Sequence, residues 1–197
     1  MTSLETMLLE EGDAPSKREI LSKALTLFVR DGRCETSIRA IAEATGYTNP
    51  ALYKFFASKE ALELHLFERC YAWLFHSLTH GAQEGDFEAR ARAVVRAWHG
   101  AFEESPDGVL YVNETLRDFW PRVSRATARQ SLLGFLGKLI EQGQREGVVS
   151  RRVTPPLGVA VLVGTLGQLS RQAYFGGAPI AASVVEEVLL AALSKRP

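Results

Sequence analysis

Between Thr36 and Phe56 the chain leaves room for little except two short helices and a tight turn. Thr36-Ser37 offers a hydroxyl cap ahead of an Ile38/Ile41/Ala42 stripe at helical spacing, and Gly46 stands where so short a helix would end. Only Tyr47 and Thr48 separate that glycine from Asn49-Pro50-Ala51-Leu52-Tyr53-Lys54-Phe55-Phe56. Thr48 or Asn49 can cap this second segment, and Pro50 falls in its first turn, where a missing N–H forfeits no hydrogen bond. A pair of this kind, with the second helix polar at its start, is what a helix-turn-helix needs to lay one helix in the major groove of DNA.

The flanks continue the helical pattern. Ser16-Lys17-Arg18-Glu19 has the spacing of a capping box, and Ile20, Ala24, Leu27 and Phe28 recur as one stripe that stops at Gly32, which predicts a helix over 16–31. Ser58 caps a further helix whose apolar positions run through Leu62, Leu66, Cys70, Trp73 and Leu74 to about His80. Beyond Gly85 the periodicity predicts helices over 87–104, 109–119, 122–146, 154–174 and 181–194. They are separated by Ser105-Pro106-Asp107-Gly108, Trp120-Pro121, Gly147, Thr154-Pro155-Pro156 and Phe175-Gly176-Gly177. No stretch alternates as a strand would. The expectation is an all-α chain of about nine helices, preceded by a flexible acidic tail over 1–15 that contributes little.

The residues of the N-terminal quarter resemble those of the tetracycline-repressor (TetR) family. The resemblance is carried by Ile20, Ala24, Leu27, Phe28, Gly32, Thr36-Ser37-Ile38-Arg39-x-Ile41-Ala42, Gly46, Leu52-Tyr53-x-Phe55-Phe56 and Ser58-Lys59-Glu60-x-Leu62. It implies a homodimeric, ligand-responsive transcriptional regulator, usually a repressor, on a near-palindromic operator. It also implies that Asn49 to Lys54 form the recognition helix, that Tyr53 and Lys59 contact phosphates, and that Thr36, Arg39 and Thr48 lie at the backbone or groove edge; Ser37 and Pro50 complete the expected set. Pro50-Ala51 replaces the Gly-Thr or Gly-Ser often found there, which removes one hydroxyl contact. Asn49 suits adenine, Lys54 suits guanine, and Ala51 can lie against a thymine methyl.

Charge agrees with a local DNA face. The 197 residues carry 23 basic and 23 acidic side chains, so the chain as a whole is neutral. Residues 16–59 hold eight Lys and Arg against four Asp and Glu, a net +4. Two distant cysteines, Cys34 and Cys70, give neither a disulfide framework nor a zinc finger, and His76 and His80 lack a third ligand, so no metal or cofactor is expected. No apolar run reaches about 18 residues and the N-terminus is acidic, which favours a cytoplasmic chain over an exported or membrane-spanning one. Neither a phosphate-binding glycine loop nor a nucleophile elbow is present, so an enzyme is disfavoured. A DNA-binding accessory protein that recruits a partner remains the alternative to an effector-controlled regulator.

The second half divides into two expected tasks. Gly158, Ala160, Gly164 and Gly167 would permit close helix approach, with Val159, Leu162, Val163 and Leu166 supplying area. With the Val184/Val188/Leu189/Ala192 stripe they suggest a four-helix homodimer interface from the helices at 154–174 and 181–194. Trp98, His99, Phe102, Tyr111, Phe119 and Trp120 concentrate aromatic area, with Glu114, Arg117, Gln168 and Arg171 as polar anchors. That is the composition of an apolar effector cavity, although the cavity itself is implied mainly by the resemblance. The expected division is a DNA-binding domain at 16–62 and a sensing and dimerisation domain at 63–197.

Overall fold

The computed structural model describes residues 3–8, 13–178 and 180–194. The helices in chain order are α1 (Leu4–Met7), α2 (Pro15–Arg30), α3 (Ile38–Thr45), α4 (Asn49–Tyr53), α5 (Lys59–His80), α6 (Phe87–Glu104), α7 (Pro106–Phe119), α8 (Arg125–Arg129), α9 (Leu132–Arg145), α10 (Pro155–Tyr174) and α11 (Ala182–Leu193). A single 3₁₀ turn, Trp120–Arg122, follows α7. Among the described residues no strand forms; Val149 and Ser194 make one isolated antiparallel bridge.

All nine expected helices are present, and the two additional segments have local causes. Residues 1, 2 and 9–12 of the expected tail lie outside the described residues. Its first turn, however, is the helix α1, capped by the Ser3 hydroxyl, with Leu4 and Leu8 buried. The predicted helix over 122–146 is broken into α8 and α9 because Ser131 caps a new start, its Oγ accepting the Gly134 N–H at 3.0 Å. α7 begins one turn earlier than expected, since Pro106 fits a first turn and only Ser105 interrupts the chain. The Ser16-x-x-Glu19 capping box is not formed. Pro15 opens α2 after Ala14, and no side-chain cap is present.

Packing groups the chain into two units. One comprises Met1–Trp73 and Asp107–Arg129, the other Leu74–Pro106 and Gln130–Pro197. In the first, α3 packs on α2 and α4 on α3. Ile20, Ala24 and Phe28 of α2, Ile41 and Ala42 of α3, Leu52 of α4 and the following Phe56 are buried. Tyr111 of α7 completes this core, stacking on Phe28 with ring centroids 6.0 Å apart and donating its hydroxyl to the Glu63 carbonyl at 3.0 Å.

In the second unit α10 packs on α9, α9 on α6 and α6 on α11. Two glycines allow this closeness: a Cβ on Gly143 would stand 2.5 Å from Val149 Cγ2, and one on Gly158 would stand 2.8 Å from Ile140 Cδ1. Gly158 therefore serves the α9–α10 contact within the chain, which corrects its expected place in a dimer interface. Val159, Leu162 and Leu166 are likewise buried inside the unit. Glu186 of α11 is buried between Arg92 at 3.1 Å and Arg96 at 3.2 Å, both from α6.

Candidate nucleic-acid interface and effector cavity

The turn between α3 and α4 is built by its caps. Ser37 Oγ accepts the Ala40 N–H at 3.1 Å at the start of α3, and Gly46 closes it with a φ of 72°, a left-handed conformation that glycine adopts without strain. The Tyr47 hydroxyl donates to Glu19 at 3.1 Å, fixing the turn against α2. Leu52 anchors α4 from below at 1% exposure, and Tyr53, the next residue round the helix, is 52% exposed. Thr48, Asn49, Pro50 and Lys54 are exposed as well, and Ala51 is half-buried. Among the described residues the side chains of Thr48, Asn49, Tyr53 and Lys54 form no hydrogen bond or ion pair. A short helix with one buried anchor thus presents a polar edge free to receive another molecule.

Three expected backbone contacts have other occupations. Thr36 is buried, and its hydroxyl donates to the Gly32 carbonyl at 2.9 Å and the Leu27 carbonyl at 3.2 Å, joining the end of α2 to the start of α3. Lys59 Nζ donates to the Arg33 carbonyl at 2.5 Å and lies 3.7 Å from Glu63. Ser37 is exposed, but its hydroxyl is engaged in the cap just described. Arg39 is exposed and pairs with Glu43 one turn along at 2.8 Å, a surface ion pair weak enough to exchange for a phosphate.

Residues 20–66, which contain this whole arrangement, match the family model described as bacterial regulatory proteins, tetR family. The match spans α3, α4 and parts of α2 and α5. Solved structures extend the likeness across the rest of the chain as a matter of fold. The ketosteroid transcriptional regulator KstR2 of Mycobacterium tuberculosis superposes with a TM-score of 0.74 at 22% identity, covering 94% of this chain and 98% of its own. A tetR-family regulatory protein from Rhodococcus RHA1 gives 0.78 at 17% identity, covering 94% and 100%. The fatty acid degradation regulator FadR from Bacillus halodurans gives 0.72 at 15%, covering 92% and 95%. No curated protein matches by sequence.

The second unit contains a cavity of about 200 Å³. Trp98 and Phe102 of α6, Leu166, Leu169 and Ser170 of α10, and Ile180 and Val185 line it, with His99 and Glu103 among its polar residues. Ser170 is buried and its Oγ accepts the Trp98 indole N–H at 2.9 Å, which fixes the indole plane in the wall. His99 Nδ1 and Glu103 Oε1 are 3.6 Å apart.

Of the residues expected at an effector, Trp98, His99 and Phe102 meet here. Tyr111 is instead a core residue of the first unit, and Trp120 packs on Tyr71 there with centroids 5.0 Å apart. Glu114 and Arg117 lie exposed on α7; Gln168 and Arg171 lie exposed on α10, where Arg171 donates to Gln168 at 3.3 Å. None of these six lines the cavity. The Leu166/Leu169/Ser170/Ala173 repeat that does line it has helical spacing, but the glycines beside it equally suit a helix–helix contact.

Among the described residues no group of three His, Cys, Asp or Glu could hold a metal ion, and no helix is long and apolar enough to cross a membrane. His76 and His80 stack on each other at 5.2 Å. Cys34 is exposed. Cys70 is buried, and burial pushes its thiol up to about 12.

Proposed function

We propose that this protein is an effector-controlled transcriptional repressor that binds a near-palindromic operator as a homodimer. The observation that carries the reading is the free polar edge of α4, Asn49, Tyr53 and Lys54, on a helix anchored by Leu52. In this reading Tyr53, Arg39 and Thr48 contact phosphates, whereas Asn49, Ala51 and Lys54 face base edges. Thr36, Ser37 and Lys59 hold the helices in place.

Dimerisation is assigned to the outward faces of α10 and α11. Leu157, Val184 and Val188 are each about half exposed there, and Ala160 and Gly164 are exposed with no neighbour of Gly164 within 4 Å of a built Cβ. Apolar side chains repeated along one helix face are favourable to cover. Two recognition helices then enter successive major grooves about 34–36 Å apart.

The effector is assigned to the cavity between α6, α10 and α11. Its walls suit a small apolar or aromatic molecule. Two fold relatives are described as regulators of ketosteroid and of fatty acid degradation, both apolar classes. Effector binding favours a conformer with wrongly spaced recognition helices, and affinity for operator falls by the ratio of effector affinities for the two conformers. α5 is the natural lever because it contains residues of both units.

The test is footprinting on the DNA flanking the protein's own gene at two salt concentrations. A two-fold symmetric protected site that weakens steeply with salt supports the reading. Protection with no symmetry, or binding that leaves a reporter promoter unaffected, favours an accessory DNA-binding protein.

A further inference from the structure

The arginines that follow α7 are not used by the site described above. Arg117, Arg122, Arg125 and Arg129 are all exposed, and among the described residues none forms a salt bridge; Arg122 has only the longer-range attraction of Glu60. The one acid between them, Asp118, is taken by Arg33 at 2.7 Å. Arg125 and Arg129 lie four apart on α8, so their like charges meet on one helix face, an unfavourable arrangement unless an anion lies between or beside them.

The segment is nevertheless rigidly built. Glu68 of α5 accepts the Ser124 N–H at 2.5 Å and the Thr127 hydroxyl at 3.1 Å, and Ser124 Oγ accepts the Thr127 N–H at 3.2 Å. α8 is thereby clamped to α5. One ring ties the segment to the loop before α3: Phe119 carries the Arg33 guanidinium 4.5 Å from its centroid and the Arg122 guanidinium at 5.9 Å. The carbonyl of that same Arg33 receives Lys59 in the first turn of α5, five residues after Lys54. Arg122 also acts on the Glu60 carboxylate in that turn, which is held below the usual carboxylate range by its own backbone N–H, the Ser58 hydroxyl, and Lys59 and Arg122. Arg122 therefore adjoins the start of α5, the segment that follows the recognition helix in the chain.

We propose that Arg122 and Arg125 form a second phosphate-binding strip, which extends the contact with duplex DNA beyond the helix-turn-helix to the backbone flanking each half-site. This rests on the DNA-binding reading of α4. Exposed guanidiniums without a salt bridge on a clamped scaffold suit phosphate oxygens, and continuity along the chain with the helix-turn-helix favours the DNA backbone over another polyanion. The strip would add affinity that is independent of flanking sequence.

The experiment uses the full chain and a duplex selected by the wild-type protein from a random pool, with the dissociation constant measured between 50 and 200 mM salt. Arg122→Gln/Arg125→Gln is compared with Arg151→Gln/Arg152→Gln, which removes the same charge from exposed positions in the other unit. In a dimer carrying two strips, the first pair should reduce the salt slope by about 4 and weaken binding by more than about a hundredfold at the low-salt end, without altering the selected sequence. The control pair should change neither. An unchanged slope in the first pair, or an equal change in both, overturns the strip while wild-type selection leaves the α4 reading intact. If the wild-type protein selects no duplex, the α4 reading itself fails and the strip falls with it.

Discussion

Arg33 and Asp118 are joined by a 2.7 Å ion pair that connects the loop before α3 to the end of α7. The same guanidinium reaches Glu63 at 3.3 Å and lies over Phe119. Glu63 is buried, so its charge depends on Arg33 and on Lys59 at 3.7 Å. Arg33→Met should destabilise the chain by about 2–3 kcal/mol in urea unfolding, because it leaves a buried carboxylate with only the more distant Lys59. Asp118→Asn should cost only a few tenths of a kcal/mol, since Asp118 is exposed and its loss strands nothing. Equal effects from the two would contradict this account.

Lys59 separates a structural from a DNA-contacting cation. Its ammonium is bound to the Arg33 carbonyl, so Lys59→Ala should lower stability by about 1 kcal/mol and leave the salt slope of DNA binding unchanged. Tyr53→Phe should do the reverse, weakening DNA binding with no loss in thermal midpoint. A slope reduced by about 2, one contact per protomer, in Lys59→Ala would restore the phosphate contact that the sequence suggested.

Ser170→Ala should leave the buried Trp98 N–H without an acceptor, at a cost of about 1–2 kcal/mol. If the cavity is the effector site, the variant also changes effector affinity with no change in effector-free DNA binding. Tryptophan fluorescence and a DNA-binding titration read the two effects separately.

Alkaline pH should destabilise the fold. Cys70 titrates near 9 when unfolded, and burial raises it to about 12; the Tyr111 hydroxyl is raised in the same direction, by burial first and by Glu63 second. Above pH 9 the unfolded chain releases a thiol proton that the folded chain keeps. The folded state then binds more protons and stability falls as pH rises, by up to about 1.4 kcal/mol per pH unit from Cys70. Stability should be level in this respect below pH 9. In a native thiol titration Cys34 should react rapidly and Cys70 only on unfolding.

The α10 and α11 faces give opposite outcomes for two substitutions. Gly158→Ala forces a Cβ against Ile140 and should cost about 1–3 kcal/mol while the protein stays dimeric. Val188→Asp touches an exposed position and should leave protomer folding intact while the dimer dissociates in sedimentation at micromolar concentration.

The helices and the helix-turn-helix were legible because local signals decide them: Ser37, Gly46, Pro50 and the Ile20/Ala24/Phe28 stripe each act within a few residues. What remained hidden is tertiary. Periodicity marks Tyr111 as apolar-facing but cannot say that α7 packs with Phe28 in the first unit. Gly158 reads identically whether it meets Ile140 of its own chain or a second copy. The acceptor for Lys59 is a backbone carbonyl, which has no sequence signature. Likewise, residues 122–146 read as one helix until Ser124 and Ser131 are seen to cap separate starts.

The central claim is that α4 reads DNA as one of a symmetric pair, and selection from a random duplex pool tests it most directly. The account predicts enrichment of a two-fold symmetric motif whose half-sites are centred about 10 base pairs apart or a multiple of that, with Asn49→Ala altering the preferred bases and Tyr53→Phe only the affinity. Enrichment of no motif, or of an asymmetric one indifferent to Asn49, would contradict it.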